Sequence, residues 1–166
     1  ALRGTIGYSQ QSAFLFSTTV GRNVGYALPE PDGSEAMDKV LHAADEAQIR
    51  EEIEGLPDGF DTVVGERGVQ LSGGQKQRTA LARGLVSAPA ILVLDDPLSA
   101  VDARTEKAIL LAIERQKRAR SVVLITHRVA AAARCDRVLV LDTGRVIEQG
   151  THEELLRRGG LYAAFA

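Results

Sequence analysis

Apolar residues recur along the chain in two different periods, which predict helices in its first half and buried strands further on. One helical face is formed by residues spaced three or four apart, namely Met37, Val40, Leu41 and Ala44. Ser34 precedes this face and is a candidate N-cap. Residues 91–94 and 122–125 are continuously apolar, as is typical of strands buried on both faces of a parallel sheet.

The remaining elements are predicted from turn signals and shorter apolar patterns. We predict a strand over residues 3–8, helices over about 45–54, from Gly74 to before Pro89, and over 102–118, a hairpin formed by residues 137–141 and 145–148, and two short helices in the tail. Strands and helices alternate in this order. The pattern therefore predicts an α/β domain with a mostly parallel sheet.

Composition narrows the class of protein without naming a function. The 166 residues carry 20 Lys and Arg against 22 Asp and Glu, so the net charge of -2 excludes a strongly basic nucleic-acid module. The single cysteine, Cys135, fits a reducing compartment. No apolar run reaches the roughly 18–20 residues of a membrane-spanning helix. The chain starts at Ala1 without Met and inside a predicted strand, so we expect it to be part of a longer protein.

Polar residues follow the predicted strands at the edge where α/β proteins bind ligands. Asp95 and Asp96 follow residues 91–94, His127 comes shortly after residues 122–125, and Gln10 follows the first strand. A carboxylate after an apolar strand can hold Mg²⁺ on a nucleotide phosphate, as in the Walker B motif. Many strands also end in Asp for capping or turn formation, so this pattern alone leaves both interpretations open.

Residues 71–75, Leu-Ser-Gly-Gly-Gln, stand at the predicted start of a helix. Glycines there let the backbone approach an anion, and the N–H groups with the positive end of the helix dipole bind phosphate. Ser72 adds a hydroxyl donor. The alternative interpretation of the same residues is a capped, glycine-rich helix start.

Together these motifs resemble those of the ATP-binding-cassette (ABC) ATPases, in the order and at the separations of that family. The matching segments are Gln10 (Q-loop), residues 71–75 (signature), 91–95 (Walker B), 99–102 (D-loop) and His127 (switch histidine). The chain thus resembles the later part of an ABC transporter nucleotide-binding domain. Residues 65–68 resemble the x-loop of exporters, and residues 14–16 and 150–156 also look exporter-like.

The resemblance implies a P-loop NTPase-like fold, truncated at its N-terminus, with a helical sub-lobe over about residues 30–88 that includes the signature. Residues 1–29 and 89–166 would form the remainder of the catalytic core. It also implies ATP and Mg²⁺ as cofactors, and transport as the process powered by ATP hydrolysis at the cytoplasmic face of the cell membrane. The implied partners are a second nucleotide-binding domain packed head to tail, transmembrane domains and an unidentified transported substrate, with no nucleic acid.

The same resemblance implies a role for each site residue. Asp95 would hold Mg²⁺, and Gln10 would contact Mg²⁺ or the attacking water. Asp96 occupies the position of the catalytic base, and His127 would contact the γ-phosphate. The signature residues Ser72, Gly73, Gly74 and Gln75 would bind the γ-phosphate of ATP held by the second domain. Asp102 would lie at the seam between the two domains.

Two departures from the family pattern qualify this interpretation. No Gly-x-x-x-x-Gly-Lys-Ser/Thr segment occurs in the chain, so we expect the fragment alone to be inactive as an ATPase. Asp96 stands where the family usually has Glu, which leaves open a mainly ATP-binding half-site of a heterodimeric transporter. A soluble ABC ATPase acting on nucleic acid or ribosomes is a further alternative.

Overall fold

The computed structural model describes residues 2–33, 35–65 and 68–166, and the chain divides into two compact units, Ala1–Ile125 and Thr126–Ala166. The predicted cap Ser34 and the centre of the predicted x-loop, Glu66 and Arg67, lie outside the described residues. None of the helices within the described ranges is both long and apolar enough to cross a bilayer.

The first unit is a mixed α/β structure built on a three-stranded sheet. Its elements are a 3-10 helix (Leu2–Thr5), β1 (Ile6–Ser9), α1 (Val20–Gly25), α2 (Ala36–Glu46), α3 (Arg50–Glu54), a 3-10 turn (Gly59–Asp61), α4 (Gly73–Leu85), β2 (Ile91–Asp95), α5 (Ala103–Gln116) and β3 (Ser121–Ile125). The strands are parallel in the order β1-β2-β3. The predicted α/β class and parallel sheet are confirmed.

Two predicted elements differ in their bounds. The first strand begins only at Ile6, after a 3-10 helix. The helix predicted over 45–54 is divided, because α2 ends at Glu46 and α3 begins at Arg50. Gln48 has a φ of 56°, and the amide of Ile49 donates to the carbonyl of Ala44 (3.0 Å), which is the Schellman ending of a helix. This turn directs Ile49, 1% exposed, into the core.

The sheet is covered on one face and open on the other. Leu92 and Leu94 are fully buried on the covered face. On the opposite face, Tyr8, Val123 and Ile125 are each about half exposed. The prediction of burial on both faces is therefore wrong for residues 122–125, because Val123 and Ile125 are exposed, whereas Ile91 and Val93 of β2 are partly buried on the same face.

Helix α4 lies against the covered face at a point where two glycines meet. A Cβ added to Gly7 in β1 would overlap the carbonyl oxygen of Gly84 in α4 and would lie 2.6 Å from Cγ of Pro89. Only glycine therefore allows this separation of helix and strand. The contact sets the distance of α4 from the sheet, and with it the position of the helix N-terminus.

The helices of the first unit form a common core. Helices α1 and α2 both contact α4, and each of the three helices has a fully buried residue, namely Val24, Ala44 and Ala82. Of the face predicted from helical spacing, Val40 is buried but Met37 is 44% exposed. Met37 lies in the first turn of α2, at the margin of this core.

The second unit consists of a short helix, a hairpin and two tail helices. Its elements are α6 (Val129–Ala132), β4 (Val138–Asp142), β5 (Arg145–Gly150), α7 (His152–Arg158) and α8 (Leu161–Phe165). The hairpin is antiparallel, and its turn residues Thr143 and Gly144 have φ of 47° and 76°, as a type I′ turn requires. Gly159, with a φ of 65°, ends α7. The predicted hairpin and the two tail helices are confirmed.

We predict that Gly7→Ala lowers the free energy of unfolding by about 1–3 kcal/mol, because the new methyl group forces α4 away from β1. Urea unfolding of the variant protein measures this change. Gly4→Ala is the matched control, since a Cβ at Gly4 meets nothing within 4 Å. Equal destabilisation by the two substitutions would contradict the close-packing argument.

Candidate functional site

The carboxyl end of β2 carries the predicted acidic pair. Asp95 is the last residue of β2 and is half-buried, and its Oδ2 accepts a hydrogen bond from the Tyr8 hydroxyl at 3.3 Å. Ser9 pairs with Leu94, so Gln10 follows β1 at the same edge of the sheet. The parallel register thus brings Gln10 and Asp95 to one edge, as the sequence predicts.

Asp96 is buried, with 6% of its surface exposed, and has a left-handed backbone with a φ of 46°. Its N–H donates to the carbonyl of Ile125 in β3 at 2.9 Å. Asp tolerates this conformation better than most residues, but Pro97 follows it and restricts the preceding backbone further. Strained residues of this kind cluster at functional sites.

The residues that resemble the signature start helix α4. Ser72 Oγ accepts from the amide of Gln75 (3.2 Å), and Gln75 Oε1 accepts from the amide of Ser72 (2.9 Å), so the two form a capping box. The capped helix start, which was the alternative interpretation, is therefore present. As at any helix start, the first N–H groups of α4 have no carbonyl acceptors within the helix, and such groups can bind an anion.

The loop over residues 99–102 lies directly against this helix start. A Cβ on Gly74 would lie 2.6 Å from the carbonyl oxygen of Ala100, whereas a Cβ on Gly73 would meet only Cβ of Ala100, at 3.9 Å. The two glycines therefore have different surroundings. Gly74 allows close contact with the loop, and Gly73 leaves an open surface at the helix N-terminus.

Asp102 has a structural role that the sequence did not indicate. It is the N-cap of α5, and its Oδ1 accepts from the amides of Arg104 and Thr105, both at 3.0 Å. Its Oδ2 accepts from the Thr105 hydroxyl at 2.6 Å. The hydrogen bonds from Thr105 and Arg104 lower the pKa of Asp102 to about 2. The carboxylate is thus ionised and held in one orientation.

Three polar residues that received no predicted role connect the helices to the signature. Glu52 of α3 accepts from Arg78 (2.7 Å) and from Gln75 Nε2 (3.0 Å). Partial burial opposes ionisation of Glu52, but the hydrogen bonds from Arg78 and Gln75 outweigh it and lower its pKa. Gln77, 2% exposed, bonds to residues 96, 99 and 100. Gln77 and Arg78 could have been recognised only from the burial of their polar side chains on α4, and the spacing of apolar residues along a helix does not reveal such burial.

An aromatic patch, formed by Phe14, Phe16 and Tyr26, lies in the segment after Gln10. Phe16 stacks on Tyr26 (4.6 Å between centroids) and makes an edge contact with Phe14 (5.2 Å). Phe14 and Tyr26 are 64% and 63% exposed. Arg83 of α4 lies over the Phe16 ring and donates to the carbonyl of Asn23 (2.7 Å), so the patch is fixed to the same helix as the signature.

His127 belongs to the second unit, where it is exposed just before α6.

In the described part of the chain, no group of three or more His, Cys, Asp or Glu side chains could hold a metal ion. A protein site for Mg²⁺ on a nucleotide commonly supplies one or two carboxylates, and phosphates and water complete the shell. The carboxylate of Asp95 at the strand end has the chemistry of such a ligand.

A comparison with known protein families identifies the family of this chain. The sequence model of the family described as "ABC transporter" matches residues 1–99, which is more than half of the chain. The chain belongs to the ABC transporter family.

Individual ABC proteins match nearly the whole chain. An uncharacterized ABC transporter ATP-binding protein, YknU of Bacillus subtilis, is 46% identical over 161 residues, which cover 97% of this chain and 27% of that protein. An ATP-dependent lipid A-core flippase of Chromohalobacter salexigens is 46% identical over 163 residues, which cover 98% of this chain and 28% of the flippase. The chain thus spans about a quarter of the length of the relatives it matches.

A solved structure confirms the fold assignment. The structure of a bacterial Atm1-family ABC exporter with ATP bound superimposes with a TM-score of 0.89 at 44% identity, over 98% of this chain and 28% of the exporter chain. The three-stranded parallel sheet and its helices therefore match part of an ABC exporter. Homologues of the chain are exporter ATP-binding proteins.

We predict that Gly74→Ala lowers the free energy of unfolding by about 1–3 kcal/mol, because the methyl group overlaps the carbonyl of Ala100. Gly73→Ala changes it by less than about 0.5 kcal/mol, because a methyl group there has open space. Chemical denaturation of both variants measures the difference. A destabilisation by Gly73→Ala as large as that by Gly74→Ala would contradict this assignment of the two glycines.

Proposed function

We propose that these residues form the signature-bearing part of an ATPase domain in an ABC exporter, where ATP hydrolysis at the cytoplasmic face of the membrane drives transport. The observation that carries the proposal is the start of α4, where the signature residues cap a helix whose N-terminus is open at Gly73. The exporters and ATP-binding proteins that match the chain favour transport over a soluble role on nucleic acid or ribosomes.

The helix start of α4 would bind the γ-phosphate of ATP held by a second nucleotide-binding domain. The N–H groups of Gly73 and Gly74 supply donors and the helix dipole supplies positive potential, while Ser72 and Gln75 keep the first turn rigid through the capping box. Asp102, next to this helix start in the 99–102 loop, would lie at the seam of the head-to-tail pair. Its capping bonds hold it there in a fixed orientation.

The sheet edge would serve the ATP bound by this domain itself. Asp95 and Gln10 would hold Mg²⁺, which when bound neutralises the charge of the phosphates. Asp96 would accept the proton of the attacking water, and His127 would orient the γ-phosphate. These residues would position the reacting groups and stabilise charge during an in-line phosphoryl transfer.

The aromatic patch is our candidate for the contact with the transmembrane domains. It exposes two large rings beside the segment that follows Gln10, and Arg83 joins it to α4. Exposed aromatic groups of this kind are typical of protein interfaces. A change at Gln10 or at the signature could pass to the patch through the backbone and through α4.

Asp96 favours a second candidate within the same family. Its side chain is one methylene shorter than Glu, so its carboxylate lies about 1 Å further from the attacking water, and a displacement of that size can cost about 10²-fold in rate. A site built on Asp96 would then bind ATP but hydrolyse it slowly. A partner domain with Glu at this position would perform most of the turnover.

We predict that the isolated 166-residue chain binds MgATP very weakly and does not hydrolyse it, because it contains no Gly-x-x-x-x-Gly-Lys segment to hold the β- and γ-phosphates. Isothermal titration of the purified chain with MgATP measures the affinity, with the full-length protein as the control. A micromolar dissociation constant for the isolated chain would show that the prediction is wrong.

We predict that Asp96→Glu raises the rate of hydrolysis at its own site by about 10- to 100-fold, measured in the full-length assembly at saturating ATP, because the longer side chain brings the carboxylate to the water. Asp96→Asn is the matched control, since it keeps the length of the side chain and removes the base. If Asp96→Glu changes nothing while Asp96→Asn abolishes turnover, Asp96 is already a competent base.

A further inference from the structure

We propose that Gln77 is a positioning residue that fixes the backbone of Asp96 and the 99–102 loop relative to the signature helix. The inference rests on the proposed ATPase function and deepens it. Gln77 lies in the second turn of α4, directly after the signature, and its side chain hydrogen-bonds to residues 96, 99 and 100.

Three hydrogen bonds of the Gln77 amide are directed at one short stretch of chain. Nε2 donates to the carbonyl of Asp96 at 2.8 Å and to Oγ of Ser99 at 2.8 Å. Oε1 accepts from the amide of Ala100 at 3.0 Å. With 2% of the residue exposed, water competes little for these bonds.

The bond to Asp96 matters because the Asp96 backbone is strained. A left-handed residue before proline persists only where its surroundings hold it. Here the Asp96 N–H is bound by Ile125 in β3, and its carbonyl is bound by Gln77. The amide of Ser99 also donates to that carbonyl, but at 3.4 Å, so Gln77 provides the shorter bond. The direction of the Asp96 carboxylate therefore depends on both the sheet and α4.

Only an uncharged amide of this length meets all three partners. It must donate to a carbonyl and a hydroxyl and accept from an N–H in the same orientation. Glu in its ionised form keeps the bond from Ala100 but places negative charge against the carbonyl of Asp96. Met keeps the length and loses every bond.

This arrangement gives Gln77 a role in both nucleotide sites. Asp96 would act on ATP bound by its own domain, whereas the signature would act on ATP bound by the partner domain. Gln77 joins the two through a single side chain, so a displacement of α4 also displaces Asp96.

The test uses Gln77→Glu and Gln77→Met in the full-length protein, with Gln116→Met as the matched control. Gln116 lies on α5 and donates to Glu46 at 2.8 Å, so the control removes a comparable amide bond elsewhere. We expect Gln77→Glu and Gln77→Met to lower kcat by about 10- to 100-fold, because they displace Asp96. The KM for ATP should change less than about threefold, because the capping box still holds the helix start.

Gln116→Met should leave kcat within about threefold of wild type, because it does not touch the bond to Asp96. A second measurement, amide hydrogen exchange, follows the positioning itself. We expect faster exchange at Ala100 in Gln77→Met than in Gln77→Glu, since only the latter keeps the acceptor for the Ala100 amide.

The two readouts separate the possible failures. A wild-type protein without ATPase activity would overturn the proposed function, and exchange at Ala100 would still decide the positioning role. Unchanged exchange at Ala100 in Gln77→Met would overturn the positioning role. If the wild type is active and Gln77→Glu keeps its full kcat, the role of the bond to Asp96 is overturned. If Gln77→Met does not fold, the kcat of the isosteric Gln77→Glu variant still tests that bond.

Discussion

The close contact between α4 and the sheet is the constraint on which the rest of the first unit depends. Gly7 lets the backbone of α4 at Gly84 approach the strand closely, and Leu92 fills the space beside the contact. Because a helix is rigid over its 13 residues, fixing α4 at Gly84 also fixes its other end. The same helix carries the signature residues, the bonds of Gln77 and the Arg83 bonds to the aromatic patch. A small shift at the glycine contact would therefore reach all three.

The locations of the candidate site residues, at strand ends and at a helix start, were predictable because local sequence defines each of these positions. A polar residue after an apolar run marks a strand end, and two glycines after a serine mark a helix start. Parallel pairing then brings Gln10 and Asp95 to one edge without further information. The family resemblance supplied the roles. Local sequence sufficed because these signals lie within about five residues of the groups they position.

The remaining features depend on contacts between distant parts of the chain, and no local pattern encodes them. Gln77 resembles any polar residue on a helix, and its role is visible only once residues 96–100 pack against it. The division of the helix predicted over 45–54 arises from the left-handed Gln48, which is favoured because it buries Ile49. Similarly, the apolar runs in β2 and β3 predict burial, but which face is covered depends on the neighbouring elements.

The site also shows that structural and functional interpretations of one residue need not compete. Ser72 and Asp102 are both N-caps, and capping is what holds them in a defined orientation at the surface. A side chain that must meet a ligand on a second domain gains from losing its rotational freedom beforehand, because the entropy cost is then part of folding rather than of binding. Under the proposed function, capping the helix would therefore serve recognition directly. The low pKa of Asp102 has the same origin, since the hydrogen bonds that orient the carboxylate also favour its charged form.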